Sequence, residues 1–244
     1  MRRIRLIQGI MTAFALLAAG TVTLPSLAWA EPIALPGQID PLRIYGEEIR
    51  FDVLRDGEKV GQHVVRFRRA ADVLQVESRS EIEVELLFLK AYDFRYQSLE
   101  HWRGGSLSAL YAATNDNGDF SRVEARRDGD MLSVRGTQGE WLAEPRTLPT
   151  THWNMAQLAA PQLLNTLTGN PNRVTVTDAG VETVTLGDGA RDARRFVYAG
   201  DLAVEAWYDA AGRWVKLRFP AEDGSTIEYV CRACGGPTEL SARE

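Results

Sequence analysis

Six turn dipeptides cut this chain into short stretches of alternating polarity, and that punctuation points to antiparallel β-sheet. The pairs are Asp56-Gly57, Gly104-Gly105, Asn117-Gly118, Asp128-Gly129, Asp188-Gly189 and Asp223-Gly224. Glycine and asparagine tolerate the positive φ of tight hairpins, so each pair reads as a chain reversal. Between the turns the period is two. Ile49, Phe51 and Val53 face one way while Arg50 and Asp52 face the other; Tyr92, Phe94, Tyr96 and Trp102 form a second set, and Ile227 and Tyr229 a third. The spacing predicts about ten or eleven strands. The fold class is mainly β: a large curved antiparallel meander, a half-barrel or open barrel, with one inserted broken helix. That helix is expected from Thr151 to about Leu167, where a hydroxyl cap precedes good helix formers and Pro161 interrupts. The expected domain is a single β unit over residues 44–236, followed by a flexible tail over 237–244.

The amino terminus has a different character. Arg2, Arg3 and Arg5 precede a chargeless apolar stretch that closes on Ala28-Trp29-Ala30, the order a signal peptidase reads. Thr12, Gly20, Thr21, Thr23, Pro25 and Ser26 interrupt that stretch, which argues for a cleaved signal over residues 1–30 rather than a transmembrane anchor. Residues 31–43, with Pro32, Pro36, Gly37 and Pro41, suit an extended lead-in. Removing the signal takes away three arginines and no acid, so the formal net charge falls from −5 to −8. Such a chain is a poor partner for nucleic acid or an anionic membrane surface. The expected location is periplasmic or secreted, in an oxidising compartment, with a mature chain that does not span a membrane.

Chemistry-bearing residues are sparse. Cys231 and Cys234 are the only cysteines, and in an oxidising compartment they read first as a local disulfide. A redox-active pair would need a depressed thiol pKa, commonly from a helix start, yet Gly235, Gly236 and Pro237 follow. As zinc ligands they make half a set, to be completed only if His63, His101 or His152 folded against them. His152 is the most suggestive histidine, because Thr150, Thr151, Trp153 and Asn154 surround it at a predicted helix start; an anion or substrate contact and an ordinary cap both fit. Glu81, Glu83 and Glu85 alternate with aliphatic residues and read as the wet face of a strand. The run Leu86-Leu87-Phe88-Leu89 is apolar on both faces, so Leu87 and Leu89 need a covering surface, whether helix, lipid or protein. No serine elbow and no phosphate-cradling loop is present, and no residue set calls for a cofactor or metal.

The segments Trp207-Tyr208-Asp209 through Lys216-Leu217-Arg218-Phe219 and Asp223-Gly224-Ser225-Thr226-Ile227-Glu228-Tyr229 resemble the closing hairpins of an uncharacterised family of exported bacterial proteins, a domain of unknown function. Thr151-His152-Trp153-Asn154, Leu164-Asn165-Thr166 and the terminal cysteine pair extend that resemblance from about Tyr45 to Gly236. More distantly, the meander with one inserted helix is similar to the half-barrels of periplasmic lipoprotein carriers. That resemblance implies a concave face able to hold acyl chains. The reading that follows is a non-catalytic envelope protein binding an apolar ligand or a partner protein, with Leu87, Leu89, His152 and Trp153 as candidate contacts. A thiol- or metal-dependent activity centred on Cys231 and Cys234 is the alternative.

Overall fold

A computed structural model describes residues 39–86, 89–144, 146–160 and 162–235, with the backbone alone at 85–86 and 89–90. Among these residues lie fifteen strands, more than the sequence predicts. They are β1 (Glu48–Arg55), β2 (Glu58–Ala70), β3 (Val73–Leu86), β4 (Leu89–Arg103), β5 (Ser106–Asp116), β6 (Asp119–Asp128), β7 (Met131–Gly136), β8 (Gly139–Ala143), β9 (Leu148–Pro149), β10 (Gln162–Leu164), β11 (Pro171–Leu186), β12 (Gly189–Gly200), β13 (Glu205–Asp209), β14 (Trp214–Pro220) and β15 (Thr226–Ala233). The extra strands are the short β7 to β10, too brief for their alternation to register. At Asp56-Gly57 and Asn117-Gly118 both turn residues have positive φ, the geometry that matches the twist of the flanking strands.

The strands form one sheet in the order β8-β7-β6-β5-β4-β3-β2-β1-β15-β14-β13-β12-β11-β10-β9. The first and last strands of the sequence therefore lie side by side in the middle, with Phe51 opposite Cys231 and Val53 opposite Tyr229. The two edges come from the middle of the chain. β9 and β10 run parallel to each other, whereas every other neighbouring pair is antiparallel. The sheet curls around a core that includes Phe51, Phe67, Trp102, Trp153, Phe196 and Trp214 without closing into a barrel.

A loop rather than a ladder bridges the remaining gap. The Thr137 N–H and hydroxyl both donate to the Thr168 carbonyl, at 2.7 and 3.0 Å. The Trp141 indole donates to the Gly169 carbonyl at 2.7 Å, and the Ser121 hydroxyl to that of Leu167 at 2.8 Å. Backbone meets backbone here, and a Cβ on Gly136 would lie 2.4 Å from the Thr168 oxygen.

Two expectations need correction. The lead-in is not extended throughout: Pro41–Ile44 forms one helical turn, α1, capped by the Asp40 carboxylate accepting from the Leu42 N–H. Residues 1–38, and with them the signal segment, lie outside the described residues, as does the predicted tail from 237. The inserted helix is present but much shorter than 151–167. Only Met155–Ala159 is helical, as a 3₁₀ turn capped by Asn154 rather than Thr151. Leu163 and Leu164, both fully buried, pair instead with Asn172 and Pro171 of β11, so sheet pairing overrides helix propensity there. No helix among the described residues is long and apolar enough to cross a membrane.

Gly136→Ala should destabilise the protein by about 1–3 kcal/mol, because rigid backbone on both sides leaves a methyl group no room. Urea unfolding of the variant against the parent measures it; equal midpoints would mean that the loop does not hold the gap.

Candidate functional site

On β4 the even-numbered side chains from Tyr92 to Trp102 point into the curl. Tyr92, Phe94, Tyr96 and Trp102 share that face with Ser98 and Glu100, and all six are buried. Glu100 is a carboxyl group with no solvent exposure. Its Oε2 accepts from the Trp102 indole at 2.7 Å and from the Trp153 indole at 3.3 Å, while Oε1 lacks a partner. Trp153 packs edge-on against Trp102 and Phe67, with ring centroids 5.3 and 5.6 Å away. Burial pushes the Glu100 carboxyl up to about 7, against the opposing pull of its hydrogen bonds from Trp102 and Trp153.

Beside this carboxyl runs a polar band set by strand register. His63 on β2 lies opposite Ser80 on β3, Ser80 opposite Tyr96, and Tyr96 opposite Thr114; one step along, Ser78 lies opposite Ser98. His63 Nδ1 and the Ser80 hydroxyl are 2.6 Å apart. Across the curl, His152 adopts a positive φ of 55°, and its Nδ1 lies 3.1 Å from the Gln157 amide nitrogen. The Tyr208 hydroxyl accepts from that amide and donates to the His152 carbonyl. Trp214 sits between the two histidines, 5.6 and 5.5 Å from their rings.

Burial drives both imidazoles toward the neutral form, His63 to about 3 and His152 to about 4. A base so weak gains little from its contact with Ser80, and no carboxylate among the described residues is hydrogen-bonded to His63 to orient it. The pair joins two strands rather than forming an activated nucleophile.

The sequence candidates fall in three places. His152 and Trp153 are buried at 7 % and 1 % exposure, and Trp153 itself fills the space between sheet and insert. Cys231 and Cys234, both fully buried, come together as a disulfide with Cα atoms 5.9 Å apart. The Cys231 carbonyl accepts from the Gly187 N–H at 2.8 Å, so the pair also anchors the end of β11. Among the described residues no group of three or more His, Cys, Asp or Glu is placed to hold a metal ion. Leu87 lies outside the described residues; the Leu89 backbone pairs with Leu86, but its side chain lies outside them too.

What the sequence reading missed is Glu100 with Ser98. The signal was present, since both share the parity of Tyr92, Tyr96 and Trp102.

A second feature lies at the mouth of the curl. Pairing of β3 with β2 stops at Ile82, and pairing of β4 with β5 stops at Phe94. The β3–β4 hairpin therefore continues beyond both neighbouring ladders. At its base, Val60, Ile82, Val84, Tyr92, Ala221 and Ile227 line a small apolar recess. Arg55, ion-paired with Asp223 at 2.6 Å, and Ser225 also border it. Hydrogen bonds from Ser225, ahead of Arg55, hold the Asp223 carboxyl below its ordinary value.

Together the open curl, the packed aromatic interior and the unclosed seam define a β-barrel-like protein. The chain belongs to the family described as domain of unknown function DUF6134, whose profile matches residues 51–232. Among solved structures it is similar to a β-barrel-like protein of domain of unknown function DUF1849 from Brucella abortus, at 12% identity and a TM-score of 0.52, over 75% of this chain and 94% of that one. At such identity the likeness is one of fold. A comparison with curated proteins finds no match.

The buried ionisable groups make a pH signature with opposing signs. Folded Glu100 keeps its proton up to about 7 against 4.5 for an ordinary glutamate, so its contribution to stability is full at low pH and fades as pH rises through 7. His63 and His152 contribute fully above their ordinary 6.5 and lose that contribution as pH falls toward 4 and 3. Glu100→Gln keeps an acceptor for the indoles and removes the compensating term. On acidification from about pH 8 to about pH 5, the variant should lose on the order of 2 kcal/mol more unfolding free energy than the parent. Parallel pH profiles from urea titrations would show that Glu100 does not hold its proton as stated.

Proposed function

We propose that this is a non-catalytic protein of the cell envelope, exported by its amino-terminal signal, that binds an apolar ligand at the mouth of its curled sheet. The observation that carries this reading is the apolar recess of Val60, Ile82, Val84, Tyr92, Ala221 and Ile227 at the base of the projecting β3–β4 hairpin. In the sequence, Val84 is followed shortly by the apolar run Leu86-Leu87-Phe88-Leu89. An apolar run of this kind needs a covering surface.

The interior supports binding at the mouth over binding beneath the insert, because Trp153, Trp102 and Phe67 already occupy that inner space. The recess as it stands encloses too little space for a lipid, so a ligand would lie against it rather than within it.

The test is binding of an anilinonaphthalene sulfonate dye and of a fluorescent fatty acid, with mass spectrometry of lipid retained through native purification. Val84→Glu, at a half-buried wall position, should weaken probe binding roughly tenfold or more by placing a charge in the recess. Protein that carries no lipid and binds neither probe, or a variant that binds both as tightly as the parent, would sink the reading.

A further inference from the structure

β11 is paired unequally on its two sides. Against β12 its ladder runs from Val174 to Leu186, but against β10 only from Pro171 to Arg173. Among the described residues no strand pairs with its other edge from Val174 to Leu186, although Gly187 just beyond is tied to Cys231. Side chains on both faces are exposed over its middle, at Thr175, Thr177, Asp178, Val181, Glu182 and Thr183, with Val181 at 57%, while Val184 and Leu186 toward its end are buried. The sheet's formal edges, in contrast, are five residues at β8 and two at β9. Long bare edges rich in valine and threonine invite another strand, and proteins that stay monomeric commonly shorten or cover them.

We propose that this edge is an interface at which a second copy of the chain adds β11 to β11, antiparallel, about a two-fold axis. The strand's own bulge fixes the register. Between Asp178 and Val181 the ladder with β12 slips by one residue, and Gly180 has a φ of +88°. Alternation therefore reverses across the bulge: Val174, Val176 and Asp178 share a face with Val181, Thr183 and Thr185.

In a symmetric antiparallel pair, residues opposite one another share a face. One register satisfies that condition and also sets the two bulges against each other. It places the axis between Ala179 and Gly180, with Asp178 opposite Val181, Thr177 opposite Glu182, and Val176 opposite Thr183 of the other copy. Further out, Thr175 and Val174 meet Val184 and Thr185, so branched side chains face branched ones, a favourable cross-strand combination. No acid lies opposite an acid.

The two acids are also balanced within their own chain. Asp178 pairs with Arg194 at 2.7 Å, and Glu182 accepts from the Trp207 indole at 2.7 Å.

Val181 gives a test in which only the sign of a charge changes. In the proposed register it faces Asp178 of the other copy, twice per dimer. Sedimentation velocity over a concentration series should find a dimer for the parent. Val181→Asp should weaken it about tenfold or more, while Val181→Lys retains it. Unchanged thermal midpoints at high dilution confirm that both variants fold. A parent that stays monomeric throughout overturns the proposal, whether the edge is bare or covered by the chain's own ends. So does a dimer equally stable with either charge, which would place the contact elsewhere.

Discussion

Pairing of β1 with β15 is the constraint on which the rest of the molecule hangs. Two meanders, β1 to β8 and β11 to β15, are each sequential hairpins, and only this ladder makes them one sheet. It places Phe51 4.1 Å from Trp214, and through that contact brings the interior of one half against the interior of the other. The Tyr45 hydroxyl reinforces the join, donating to the Trp153 carbonyl and accepting from the Trp214 N–H, each at 2.9 Å. One phenol thus ties α1, the inserted segment and β14 together. Its burial drives its pKa far upward, so it stays a neutral donor.

The interior is polar in an unusual way: two histidines, several phenols and the Glu100 carboxyl are buried with no buried lysine or arginine among the described residues, while a second buried carboxyl, Asp209, is ion-paired with Arg191 and Arg213. The histidines and phenols avoid charge by losing or keeping their protons. The histidines are neutral because water is excluded, and Glu100 titrates near neutrality for the same reason. Other ion pairs lie on the more exposed side, where Arg195, Glu205 and Arg218 surround Trp207 and Lys216 pairs with Glu228. A protein arranged in this way has a quiet centre and a busy skin.

How much of this could be read from the chain depends on whether the signal is local. Tight turns are local: Asn117 and Gly118 announce a reversal through their own backbone preferences, and the structure places it there. Strand faces are local too, and the parity of Tyr92 to Trp102 identifies the inner side of β4, including Glu100. The inserted segment was harder because its fate is decided at a distance. Its helix formers compete with Pro171 and Asn172, across a turn that residue spacing does not announce, which claim Leu164 and Leu163 for the sheet. Likewise nothing near Glu100 shows that the Trp153 indole will reach it. Partners that folding alone brings together leave no trace in spacing.

The central placement of the terminal strands has a consequence in time. A meander whose neighbours are all sequential can settle as it emerges, hairpin by hairpin. Here β1 gains its second neighbour only when β15 has been made, and no earlier strand supplies Trp214's side of the core. The first half must wait with one long edge bare, so the slowest contact to form is also the one that unites the sheet.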